Sequence, residues 1–177
     1  MICDKDEQGY ILPLWFDGVD SCLDFLKGKK KNGFLYFFQI DNEFFKVGVS
    51  NGIISRLKAH RKKLGNRIGT IGIIGEVTLY KQIECLLHFK VFTTKRGDGK
   101  YLVESRRDIY DTETYEIPDG VDFKEMINNI LKVLRYIYLS NCFDILGKGE
   151  KYGIDIFNPN TKDKGLSAFL MEFNDLL

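Results

Sequence analysis

The chain reads as an α+β domain, a small mixed or antiparallel sheet of about three to four strands with helices packed on it. Three observations lead there. An almost wholly apolar run, Phe34 to Ile40, is followed after Asp41-Asn42 by a second strand-like run, Glu43 to Val49. Helical periods then alternate with β-rich runs, giving the order strand, strand, helix, strand, helix, strand, helix. Finally, 177 residues at 44% apolar content suit one domain with a real core.

Each element follows from its own residues. Residues 1–32 form an N-terminal extension, with a short strand from Gly9 to Trp15. Asp17 to Leu26 is a helix, with Val19, Cys22, Leu23 and Leu26 on one face. Lys27 to Gly33 is a loop. The apolar Phe34–Ile40 strand predicts burial on both faces, and Asp41-Asn42 turns it into a hairpin. Ser50 and Asn51 are candidate caps for a helix from Ile53 to Leu64, ended by Gly65. Gly69 to Tyr80 is a strand interrupted near Gly75, and Lys81 to Phe92 is a helix burying Ile83, Leu86, Leu87 and Val91. After a basic tip at Arg96–Lys100 and the run Tyr101-Leu102-Val103, Thr114 to Ile117 is a short strand and Pro118-Asp119-Gly120 a turn. Asp122 and Glu125 form a capping box for a helix from Phe123 to Leu139, whose Phe123, Ile127, Ile130, Leu134 and Ile137 face the core. Leu166 to Leu177 is a last amphipathic helix.

Net charge is only +1, so total charge does not announce a nucleic-acid binder. The distribution does more. From Phe44 to Gly75 there is no Asp or Glu, whereas Lys46, Arg56, Lys58, Arg61, Lys62, Lys63 and Arg67 all fall there. Such a face binds phosphates, or is simply solvated. Cys3, Cys22, Cys85 and Cys142 are isolated, with no metal-ligand spacing, and read as reduced thiols. No apolar run approaches the roughly 18 residues of a membrane span. The expectation is a soluble, cytoplasmic protein.

A set of chemistry-bearing residues runs through the αβ unit: Tyr36, Lys46, Arg56 with His60, and Glu84 with His88. A phenol orients or deprotonates water if a nearby cation lowers its pKa. Lys46 would favour the phenolate; alternatively it is a strand-edge lysine. Arg56 holds a phosphate bidentately, with His60 one turn on. Glu84 suits Mg²⁺, which keeps most of its waters. Glu84 and His88 share a helix face, but no third ligand is in sight for zinc. Glu113 reads as a structural strand residue or a supporting carboxylate. Gly48 lets backbone approach the cluster closely.

These pieces resemble the GIY-YIG nuclease superfamily, in its degenerate phage- and virus-type branch. Gly33-Phe34-Leu35-Tyr36 stands for the first signature strand, and Lys46-Val47-Gly48 takes the place of Tyr-Ile-Gly. Arg56-Leu57-Lys58-Ala59-His60 is similar to its Arg-Leu-x-x-His segment, Glu84 to its metal helix, and Thr112 to Ile117 to its Gly-Thr-Glu-like strand. The resemblance implies a core over 33–117, with 118–177 as a C-terminal helical extension. It implies a metal-dependent DNA endonuclease with Tyr36, Lys46, Arg56, His60 and Glu84 as catalytic residues. Glu84 would be the sole protein ligand of Mg²⁺ (or Mn²⁺). Lys58, Arg61, Lys62, Lys63 and Arg67 would track the DNA backbone. A monomer would nick, and a homodimer could cut both strands. Two other readings stay open. One is a nucleic-acid-binding module without cleavage. The other is a viral or phage counter-defence factor that uses the acidic segment Asp108–Glu116 as a partner surface.

Overall fold

The computed structural model describes residues 2–7, 11–29, 33–77, 80–88, 106–111 and 113–131. In chain order its elements are β1 (Asp4–Lys5), β2 (Ile11–Leu12), β3 (Leu14–Asp17), α1 (Gly18–Leu26), β4 (Phe34–Ile40), β5 (Phe44–Ser50) and α2 (Ile53–Leu64). A 3-10 turn (Gly65–Arg67), β6 (Ile68–Ile74), α3 (Tyr80–Leu86), β7 (Thr114–Glu116) and a helix over 123–131, α4, follow. The fold is α+β, with an antiparallel five-stranded sheet ordered β3-β6-β4-β5-β7 and a separate β1–β2 ribbon.

β4 lies at the centre because its residues are apolar on both sides. Leu35 and Phe37 enter one core layer with Phe45, Val47, Ile83, Leu87 and Tyr115, against α3 and α4. Phe34, Tyr36, Phe38 and Ile40 enter the other with Cys22, Leu26, Ile53 and Leu57, against α1 and α2. This is the period-2 alternation of a strand buried on both faces. Each fully buried phenylalanine here contributes about 1.5–3 kcal/mol.

The sheet has one strand more than the upper count that the sequence predicts. The extra strand is β3, laid antiparallel on β6 with Trp15 opposite Gly72. Within the N-terminal extension, β3 forms an edge of the sheet, and α1 packs on β6 and α2. The strand expected from Gly9 to Trp15 is broken at Pro13, which lacks the N–H that a ladder needs.

Other elements lie close to their predicted bounds. The β4–β5 turn places Asp41 and Asn42 at φ +54 and +61, a conformation these residue types tolerate. α2 matches the predicted span, but its N-cap is Gly52; Ser50 Oγ accepts a hydrogen bond from the Gly52 N–H at 3.0 Å. Gly65 ends the helix at φ +60. β6 stops at Ile74, and Gly75 pairs instead with Ile2. α4 starts where the capping box predicts, with the Glu125 N–H donating to Asp122 Oδ1 at 2.8 Å. Cys22 is fully buried, and burial pushes its thiol up to about 12. Leu86 is the last residue of α3, and the expected roles of Val91, Leu134 and Ile137, the basic tip, the 101–103 run and the tail helix lie outside the described residues. No described helix is long and apolar enough to cross a membrane.

Candidate active site

Pairing of β4 with β5 sets Tyr36 opposite Gly48 and Phe38 opposite Lys46. A Cβ at residue 48 would clash with the Tyr36 hydroxyl, so only glycine lets the tyrosine ring cross its neighbour strand. The hydroxyl then reaches α2, where it shares a hydrogen bond with His60 Nε2 at 3.0 Å. His60 Nδ1 meets the hydroxyl of Tyr110 at 2.8 Å. Burial pushes the His60 pKa down to about 4, with the charges of Lys46 and Arg56 adding to the effect. The imidazole is therefore neutral at pH 7, with one nitrogen donating and the other accepting.

Tyr36 departs from its expected state. Burial raises its pKa, and the opposing charge of Arg56 does not overcome this. It is a phenol at pH 7, not a phenolate. Lys46 is not an edge lysine either, since β7 covers that side of β5. Its ammonium, only 2% exposed, lies 2.8 Å from Asp111 and 2.6 Å from Glu113. Asp111 and Glu113 are drawn together by a tight turn, in which the Glu113 N–H and the Thr114 hydroxyl both donate to Asp111 Oδ1, at 3.1 Å each.

Glu113 also completes a cluster with Glu84 and His88, which follow one another at i, i+4 on α3 and the π-turn that extends it. Their donor atoms all lie within 4.8 Å of one another. Burial, then the Glu113 charge, pushes the Glu84 carboxyl up to about 7; a hydrogen bond from the Val49 N–H and the charges of Lys46 and Arg56 oppose this. Burial pushes His88 down to about 4, leaving a neutral imidazole. Two crowded carboxylates and a neutral imidazole fit a divalent ion, whose charge would relieve the repulsion between the glutamates. The sequence predicts Glu84 as the sole protein ligand; the structure instead groups it with two further candidate donors. The missing third donor was the residue read as structural.

The Glu84 shift has a testable consequence. Its folded pKa of about 7 lies above the ordinary 4.5, so the folded state takes up a proton. The stability linked to this group is full below pH 4.5 and lost as pH rises through about 7. Discounted for partial solvent access, that loss is about 1–2 kcal/mol. Metal-free Glu84→Gln should thus melt a few degrees above wild type at pH 8 and together with it at pH 5, measured by circular dichroism. Equal melting at pH 8 would contradict the buried, repelled carboxyl.

Arg56 is exposed on α2 and lines an open depression of about 450 Å³ with Ser50, Asn51, Ser55, Tyr80 and Lys81. Its charge acts on Tyr36, His60 and Glu84, so these groups share one electrostatic neighbourhood. Of the expected DNA-tracking cations, Lys58, Lys62 and Lys63 are exposed on α2. Lys63 Nζ stands 5.9 Å from the Tyr110 ring. Arg61 is instead paired with Asp20, and Arg67 with Asp41 at 2.6 Å. Such exposed pairs are weak, and phosphates can displace them. In the acidic segment, Asp111 and Glu113 turn towards Lys46, while Asp108 and Glu116 pair with Arg106.

Tyr110 and Asp111 are the site residues that sequence reasoning missed. Their signal was the polar stretch between helix and strand, whose partners are distant in sequence. No protein-family model, curated protein or solved structure matches this chain.

Proposed function

We propose that the chain is a metal-dependent endonuclease that hydrolyses phosphodiester bonds in DNA. One observation carries this reading: Arg56, the Tyr36–His60 pair and the Glu84/His88/Glu113 cluster converge electrostatically beside an open basic depression. Arg56 would hold the scissile phosphate and offset charge in the transition state. Tyr36, whose hydroxyl shares a hydrogen bond with His60 Nε2, would orient the attacking water through its oxygen in the tautomer where the phenol donates to Nε2. Neutral His60 is the base that receives a proton through this phenol; the phenolate role expected of Tyr36 is not needed. Glu84, His88 and Glu113 would hold the ion. Once bound, a divalent ion would supply positive charge to the phosphate oxygens. Lys46 holds Asp111 and Glu113 in register rather than serving the phenol. The stripe of Lys58, Lys62 and Lys63 offers sequence-independent contacts to the DNA backbone.

The decisive experiment is incubation of the full chain with supercoiled plasmid, with Mg²⁺ or Mn²⁺ and with chelator. Nicked or linear product that vanishes with chelator is the expected result. Intact plasmid would overturn the catalytic reading. One observation favours the second reading, a non-cleaving nucleic-acid-binding module: Tyr36 is 1% exposed and its hydroxyl is held in a buried hydrogen bond. Retained, salt-sensitive DNA binding beside an intact plasmid would select it.

A further inference from the structure

We propose that the ion of this site is a transition metal of the Mn²⁺ to Zn²⁺ series rather than Mg²⁺, held by Glu84, Glu113 and His88 Nε2, with Tyr115 orienting the imidazole. This rests on the reading of the cluster as a metal site, but needs no DNA.

The donor chemistry makes the distinction. Mg²⁺ is a hard ion that prefers oxygen and sheds its waters reluctantly. An imidazole in the set shifts preference towards softer first-row ions, for which mixed carboxylate and histidine ligation is common. The donors come from two segments, α3 with the π-turn that extends it and the turn just before β7, and three donors leave further coordination positions for water and substrate oxygens. That is the pattern of a catalytic rather than a closed structural site.

His88 is built to present one nitrogen. Its Nδ1 lies 2.5 Å from Tyr115 Oη, and the two rings stack with centroids 5.7 Å apart at 24°. Tyr115 is buried on β7, two residues beyond Glu113 in the turn before that strand, so one short segment carries a ligand and the group that orients another. In the tautomer with Nδ1 protonated and donating to the phenol oxygen, it is Nε2 that carries the lone pair a metal ion needs. A second group that fixes the tautomer in this way is the usual support of a ligating histidine. Lys46 does not compete with the ion outright. Asp111 also holds the ammonium, so Glu113 can turn an oxygen to the ion without stranding it.

The test uses the whole chain, stripped by chelator and labelled with ¹⁵N. It has only two histidines, His60 and His88, so their ring nitrogens are readily told apart. One equivalent of Zn²⁺ should shift the His88 Nε2 resonance and leave His60 with its tyrosine partners. Mg²⁺ in about hundredfold excess should not reverse the shift. Tyr115→Phe, which keeps the ring and removes the hydroxyl, should weaken Zn²⁺ binding by about tenfold or more. An unmoved His88, or reversal by Mg²⁺, overturns the proposal. An unchanged Zn²⁺ affinity in Tyr115→Phe overturns the role of Tyr115. A shifted His88 with intact plasmid supports the metal assignment while the nuclease reading fails. Plasmid cut in Mg²⁺ while His88 ignores Zn²⁺ has the opposite meaning.

Discussion

Replacing Arg56 or Glu84 with alanine is expected to slow metal-dependent nicking of supercoiled plasmid by about 10²–10³-fold, with the fold intact. The two side chains lose different things. Arg56 is exposed, so its truncation costs the folded protein little, about 0.5 kcal/mol or less. A lost rate would then report a lost phosphate contact. Glu84 is held beside another carboxylate at a cost, and its removal relieves that repulsion in the metal-free state. Glu84→Ala should therefore melt at or above the wild-type temperature near pH 8 and still fail to cut. Activity lost together with stability would point to misfolding, and wild-type rates in either variant would remove that residue from the mechanism. Circular dichroism beside the plasmid assay separates these outcomes.

The second large effect is structural. Lys46→Met should destabilise the metal-free protein by about 2–3 kcal/mol, a fall of several degrees in melting temperature. The methionine replaces the buried aliphatic stem, so little packing is lost. What remains is Asp111 and Glu113 without their ammonium, next to Glu84. The cost falls below that of a fully buried broken pair because both carboxylates keep over a third of their exposure. Adding Asp111→Asn and Glu113→Gln should recover part of the loss, since it removes the unpaired charges. A saturating divalent ion should recover part of it in Lys46→Met alone. If Lys46→Met melts like wild type, the buried ammonium contributes nothing and the carboxylates are held by the turn.

Much of the fold could be read locally. Phe34 to Ile40 is apolar at nearly every position and long enough to be a strand, and Asp41-Asn42 supplies the left-handed turn that closes the hairpin. The α2 span follows from its apolar spacing and from Gly65. The Asp122 cap follows from a residue type at a fixed offset. The site was half legible for the same reason. Tyr36, Gly48, Arg56, His60 and Glu84 lie in or next to regular elements, where periodicity says which residues share a face.

Long-range pairing decided the rest. β3 is only four residues long and finds its place on β6, more than 50 residues away, so its apolar pattern could not show that it joins the sheet. Tyr110, Asp111 and Glu113 precede a three-residue strand with no period of its own, and they reach the site because β7 pairs with β5, with Thr114 opposite Lys46. That pairing turns an edge-like lysine into a buried cation and an i, i+4 pair into a three-donor cluster. Protonation states also waited on the tertiary structure. Burial raises Tyr36 and Glu84 and lowers His60 and His88. Sequence alone determined which chemical groups the chain carries and which local elements hold them. Their meeting, and the charge each bears there, came from desolvation and pairing across the sheet, because both depend on neighbours brought from distant parts of the chain.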